Sequence, residues 1–214
     1  MRFPNTFLAL ALALAAATAV SATPVAYEFI TAPTSLDDFL TLGFQFTPNA
    51  PLTVTSLGYY DEGGDGLLAS HEIGIFDAGG NLLASATVGF GTAAPLIGNF
   101  RYVPIAPLTL SGSLTYTIAA TTGGFAGDPW AFGTAGSITG LTVNPLIGIA
   151  PDAGRYIYPG ANALVYPTNT FTYTLYAGPN FGFESTAVPE PGTFVLLGLT
   201  LLPAIALARR FRRT

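Results

Sequence analysis

The chain has 214 residues, no cysteine, one histidine, one tryptophan and a formal net charge of −5. The absence of cysteine excludes disulfides, thiolate metal sites and a thiol nucleophile. All seven basic residues are arginines, and only Arg101 and Arg155 fall between the two apolar ends, which excludes a basic patch for nucleic acid.

Arg2 precedes an alanine- and leucine-rich run from Phe7 to Val20, and Val20-Ser21-Ala22 then supplies small residues. This order predicts a helical secretory signal peptide over 1–22, cut by signal peptidase after Ala22, with Ala19 as the alternative. Residues 23–187 remain as one acidic body, long enough to build its own core.

Along the body the apolar period is two. Leu40, Leu42, Phe44 and Phe46 alternate with Thr41, Gly43 and Gln45, one face buried and one outward. Leu52 and Val54 continue the pattern, and its phase then moves to Leu57 and Tyr59, which predicts a β-bulge. Ile73 and Ile75 form the next strand, Asp77–Asn81 a turn, and Leu83–Val88 the returning arm of a hairpin. Phe100–Ile105, Leu114–Ile118 and Phe171–Leu175 complete the series. Residues Thr122–Asn169 are rich in Gly, Pro and Ala and predict long loops with one to three short strands. The expected fold class is all-β, an antiparallel β-sandwich or jelly roll.

The chain closes on Val188-Pro189-Glu190-Pro191-Gly192, an apolar run, and Arg209-Arg210-Phe211-Arg212-Arg213. The prolines hold the motif extended and apart from the apolar run. Residues 193–208 predict a single transmembrane helix of roughly 24 Å at ~1.5 Å per residue. That is short of the ~30 Å hydrocarbon core, a deficit that snorkelling arginines close. Arg209, Arg210, Arg212 and Arg213 place residues 209–214 in the cytoplasm and the body outside.

This tail resembles the PEP-CTERM sorting signal of Gram-negative bacteria, in its Pro-Glu-Pro motif, its apolar span and its terminal arginines. The resemblance implies recognition by an exosortase near the motif. It also implies release of the exported part from the inner membrane to the cell surface or an exopolysaccharide matrix. The body is similar to a kind of exported bacterial β-sandwich domain of unestablished function that often precedes such tails. Leu42–Phe46, Val54–Gly58, His71–Asp77, Leu82–Val88 and Phe100–Tyr102 carry that likeness, over about residues 36–120.

Candidate chemistry is sparse. Asp61, Asp65, Gly66 and Glu72 fall at positions one, five, six and twelve of an EF-hand loop, but Gly63 stands where position three needs an oxygen. The strand-like flanks point instead to a carboxylate-rich loop, either a Ca²⁺ site formed by Asp61, Asp65 and Glu72 or a solvated turn. No other cofactor is expected. His71 follows Ser70 on a strand, where neighbours point to opposite faces, so no nucleophile–base pair forms and a half-exposed histidine is expected. Asp37 with Asp38, or Asp61 with Glu62, are adjacent and badly placed for a glycosidase pair. Trp130 is either a core ring or a platform for carbohydrate. Thr115/Thr117 and Thr172/Thr174 raise the alternative of an ice-binding or adhesive face. The function expected is therefore a non-catalytic exported surface or matrix protein, with exopolysaccharide as a partner; the alternatives are a secreted glycan hydrolase or a calcium- or carbohydrate-binding module.

Overall fold

The computed structural model describes residues 23–36, 39–124, 127–134, 136–172 and 175–185. The expected signal segment, the whole sorting tail and the Asp37–Asp38 pair lie outside them. The described residues are all-β. Sixteen strands follow one another as β1 (Tyr27–Glu28), β2 (Thr34–Ser35), β3 (Thr41–Pro48), β4 (Leu52–Tyr60), β5 (His71–Phe76), β6 (Leu82–Val88), β7 (Leu96–Ile97) and β8 (Phe100–Leu110). Then come β9 (Tyr116–Thr121), β10 (Trp130–Gly133), β11 (Thr142–Val143), β12 (Ile147–Gly148), β13 (Gly154–Ile157), β14 (Asn169–Thr170), β15 (Leu175–Ala177) and β16 (Pro179–Ser185). The only helical piece among the described residues is a three-residue 3₁₀ turn, Glu62–Gly64.

Two antiparallel sheets form the frame. One runs β14-β13-β3-β9-β5-β6, with β12 also pairing on β3, and the other runs β16-β4-β8-β7. Residues 24–26 lie along the free side of β16, where Ala26 N–H donates to Phe181 O and Phe183 N–H to Pro24 O. Smaller sheets, β15-β10-β2 and β1-β11, flank the frame. The side chains between the sheets are those the two-residue period marked. Phe44, Phe46, Ile73, Ile75 and Ile118 from the first sheet pack in one buried cluster with Val54, Leu57, Phe100, Phe181 and Phe183 from the second. Phe46 and Phe181 meet across the interface with ring centroids 4.8 Å apart. Among the described residues this cluster runs from Ala26 to Phe183, a core that lies within 23–185.

The phase shift after Val54 is a true irregularity. The β4–β8 register slips between Val54 and Ser56, and β16 slips opposite the same place, between Gly182 and Phe183. The Asp77–Asn81 turn forms as expected, with the Asp77 carboxylate accepting from the Gly79 and Asn81 amides and the Asn81 side chain.

Three expectations change. Leu114 lies outside β9 and is exposed, while Thr117 is buried, so Thr115 and Thr117 form no exposed threonine face. Phe171 and Thr172 lie outside any strand, Leu175 opens β15, which pairs with β10, and Tyr173 and Thr174 lie outside the described residues. The stretch from Thr122 to Asn169 holds four whole strands, β10 to β13, more than its Gly and Pro content indicated. It begins an insertion between β9 and β16 that builds a second, smaller layer beside β3.

Candidate functional site

The acidic loop is a structural clamp. Asp61 follows directly on β4 and is only 2 % exposed. Arg101 Nε donates to its Oδ2 at 2.6 Å, and the Gly66 amide adds bonds of 3.2–3.3 Å. Gly66 presents that amide from φ +115°, a backbone region costly for other residues. The rest of the guanidinium is spent on carbonyls: Nη1 on Thr92 and Ala94, Nη2 on Gly64. Asp65 is exposed, and Glu72 sits on β5 opposite Thr87. Among the described residues no three His, Asp or Glu side chains gather to hold a metal ion. The loop that resembled a calcium site therefore has its first carboxylate committed to an arginine on the neighbouring strand. Its 61–72 spacing carried no sign of that partner forty residues away.

His71 is fully buried instead of half-exposed. Its ring stacks on Tyr59, centroids 3.6 Å apart and planes within 4°. Nδ1 lies 2.8 Å from Thr121 O and Nε2 2.8 Å from Asp128 Oδ2. Both ring nitrogens thus lie within hydrogen-bond distance of an oxygen. Burial pushes the Asp128 carboxyl up, but the hydrogen bonds from His71 and from the Leu68 and Ala69 amides outweigh it and hold it below the ordinary value. Tyr59 is raised far above the usual phenol, first by burial and then by the Asp128 charge. Ser70 is turned away and accepts from the Phe90 amide, so no Ser–His pair exists. Asp128 stands two residues before Trp130. The buried pair therefore pins the start of the insertion to β5, and Pro129 passes that anchorage directly to the Trp130 strand.

Trp130 is a core ring that also borders an opening. It is 7 % exposed and packs with Leu40, Leu42 and Tyr176 in a small core separate from the main one. It also lines an open cavity of about 250 Å³ together with Phe132, Tyr156, Tyr158, Phe171 and Tyr176. The cavity exists because β13 extends the first sheet beyond the edge of the second. Tyr156 pairs with Leu42 and Arg155 with Gly43, so Tyr156 shares the inward face and Arg155 takes the outward one. The outward guanidinium bonds Gln45 and the Asp152 and Gly154 carbonyls. On the inward side, the β15-β10-β2 layer roofs the extension and leaves a mouth at Tyr158 and Phe171, which are 57 % and 42 % exposed. Tyr156 meets both rings edge-on, at 5.9 and 6.2 Å. Among the described residues no carboxylate, imidazole or cation lines the cavity. The Trp130 Nε1–H is buried and has no hydrogen-bond partner among the described residues. Of these rings the sequence singled out Trp130. It could not add Phe171 and Tyr176, which reach the site through strand pairing.

Compared with known families, residues 31–177 match a model described as a domain of unknown function (DUF4082), and the chain belongs to that family. The match reaches past the segment around 36–120 and takes in β10 to β15, so the groove lies inside the family's domain. No curated protein matches the chain.

Proposed function

For this member of the DUF4082 family we propose a non-catalytic role at the cell surface or in an exopolysaccharide matrix, with the β-body holding glycan in its aromatic groove. The observation that carries this is the groove itself: an open cavity walled by Trp130, Phe132, Tyr156, Tyr158, Phe171 and Tyr176. Aromatic walls with few polar groups are the usual makings of a ligand site, and the C–H face of a sugar ring packs well on such rings. Glycoside hydrolysis requires two carboxyl groups some 5–10 Å apart astride the bond. Among the described residues the lining has neither, which favours holding over cleaving.

Strand order supports the same reading at the level of the frame. Residues 24–26, β16, β4 and β8 are neighbours in one sheet, and β3, β9, β5 and β6 in the other. That is the order of a jelly roll, an architecture used by lectin domains among many others, so it permits the function without implying it. The tail, Val188–Gly192 with its apolar run and Arg209–Arg213, is read as an exosortase signal that anchors the chain once in the inner membrane before release.

Two measurements test the proposal. Residues 23–185 should be retarded in gels containing the native exopolysaccharide, and Tyr158→Ala should migrate freely; equal retardation of both proteins removes the groove from the account. Mass spectrometry of the exported protein should place its C terminus near Pro189–Gly192. A chain ending at Thr214 would make this a stable membrane protein and end the sorting reading.

A further inference from the structure

Resting on the sorting reading, we propose that the end of the frame from which the chain leaves for its tail is a lipid-facing surface. Leu82, Leu83 and Leu114 seat that end on the bilayer while the tail is uncut. Strand register fixes which end it is. Ser185 is the last residue of β16 and pairs with Leu52, which pairs with Leu110 on its other side. At ~4.8 Å per strand, Ser185 and Leu110 are about 10 Å apart. The Ser111 amide donates to the Tyr116 hydroxyl, and Phe76 stands opposite both Thr117 and Leu82. The Ser185 exit, the 111–115 loop and the 77–81 turn therefore share one end of the sandwich.

That end carries apolar side chains on its surface. Leu82, Leu83 and Leu114 are 49, 40 and 55 % exposed. Leu83 and Leu114 line one cavity together with Ala78 and Tyr116. The Asp77 carboxylate is spent inside its own turn, and Glu184 is exposed beside the exit. No arginine among the described residues lies here: Arg101 pairs with Tyr59 near the other end of β4, and Arg155 with Gly43 toward the far end of β3. Apolar contact, and not attraction to anionic headgroups, must hold this end to a membrane.

The length of chain beyond the frame says what covers the patch. Residues 186–192, seven in all, separate Ser185 from the apolar run that begins at Thr193. Fully extended they reach about 25 Å at ~3.6 Å per residue, and the headgroup layer takes up about 5–7 Å of that. The exit end is thus held within about 20 Å of the lipid, at an effective concentration in the millimolar range. Three leucines are too few to hold a free protein on a membrane, but a tether this short makes a weak contact sufficient. The opposite end is turned away. β6 carries the chain roughly 20 Å from Leu82 to Val88, and Phe90, 73 % exposed, lies beyond it.

The chain has no cysteine, so one introduced cysteine carries one label. Residues 23–214 would be reconstituted into vesicles of phosphatidylethanolamine and phosphatidylglycerol that bear a lipid-borne doxyl quencher. The fluorophore NBD would sit at Ala78→Cys, beside the cavity, or at Phe90→Cys, at the far end. Quenching should be at least three-fold stronger at Ala78→Cys, and the excess should vanish when Leu83→Ser and Leu114→Ser are added. Circular dichroism checks that this variant folds; if it does not, Leu114→Ser alone, outside any strand, should still lower the excess. Equal quenching at the two ends, or an excess that survives the serines, would overturn the docked end and leave the anchor in place. Shielding of Ala78→Cys only after the processing enzyme is added would assign the surface to that protease and also overturn the proposal. Release of the chain from the vesicles by alkaline carbonate would take down the sorting reading, and this proposal with it.

Discussion

Replacing Arg101 by methionine separates the clamp from the calcium site. The substitution keeps most of the side-chain bulk and removes the guanidinium. Asp61, 2 % exposed, then retains only the Gly66 amide, and the Thr92, Ala94 and Gly64 carbonyls lose their donor. Removing one member of a buried pair costs about 3–5 kcal/mol, because a charge stays behind without compensation. For a body of this length each kcal/mol is worth about 2–4 °C, so the melting temperature should fall by about 6–20 °C. Asp61→Asn should cost less, about 1.5–3 kcal/mol, because Arg101 keeps its three carbonyl acceptors. The double variant should be more stable than the sum of the two losses, since no lone charge remains. Melts of residues 23–185 by circular dichroism, in EDTA and in millimolar Ca²⁺, give all of these quantities. A ligand role for Asp61 predicts the opposite pattern: loss in Asp61→Asn only when calcium is present, and no penalty in Arg101→Met. That pattern, or an Arg101→Met melt within 2 °C of the parent, would refute the clamp.

The same geometry sets three further outcomes. Asp128 is held below its ordinary pKa in the fold, so its stabilising contribution is complete above the unfolded value of about 3.9 and is lost as pH falls through the lower folded value. The stability gap between the parent and Asp128→Asn, read from urea midpoints, should close as pH falls below about 4; a gap that widens in acid contradicts the pairing. Trp130→Ala should cost about 3–5 kcal/mol because the ring is core, while Tyr158→Ala, at a position 57 % exposed, should cost clearly less, both by thermal melt; equal losses would place Tyr158 in the core instead of at a mouth. Gly43→Ala should destabilise by about 3 kcal/mol or more, since the new methyl would run into Ile118 O and sit 2.8 Å from Ala119 Cα on the paired strand; a near-parental urea midpoint would show that β3 and β9 can separate freely.

The frame was legible because its strands are half-buried and carry their period openly. Phe44, Phe46, Ile73 and Ile75 announce the inward face, and even the slip after Val54 shows as a change of phase. The second layer was not legible, for a physical reason. Its strands are two to four residues long, too short for alternation to repeat, and they are fixed by partners far away in sequence, as Tyr156 is by Leu42 and Phe132 by Tyr176. The buried polar pairs fail to announce themselves for a related reason. A carboxylate in a Gly-rich loop reads the same whether water, calcium or Arg101 satisfies it.

The insertion between β9 and β16 is therefore where a frame of this kind becomes specific. Its start is tied to the sandwich by Asp128 on His71, and its return by the Tyr60 amide, which donates to Gly178 O. Between the two ties, Trp130 is set two residues from the buried His71–Asp128 contact, within the layer that roofs the groove. A platform for a rigid sugar gains from such anchorage, because little ordering remains to be done on binding. The His71–Asp128 pair should then act on the groove as well as on the fold. Asp128→Asn should shift the emission of Trp130 in the folded protein at neutral pH and weaken retardation by the native exopolysaccharide. Arg101→Met should destabilise the body and leave both unchanged below its melt, because the Arg101 clamp holds loops that do not line the groove. If the two variants perturb Trp130 alike, the anchorage is a general property of the core and the insertion has no private tie.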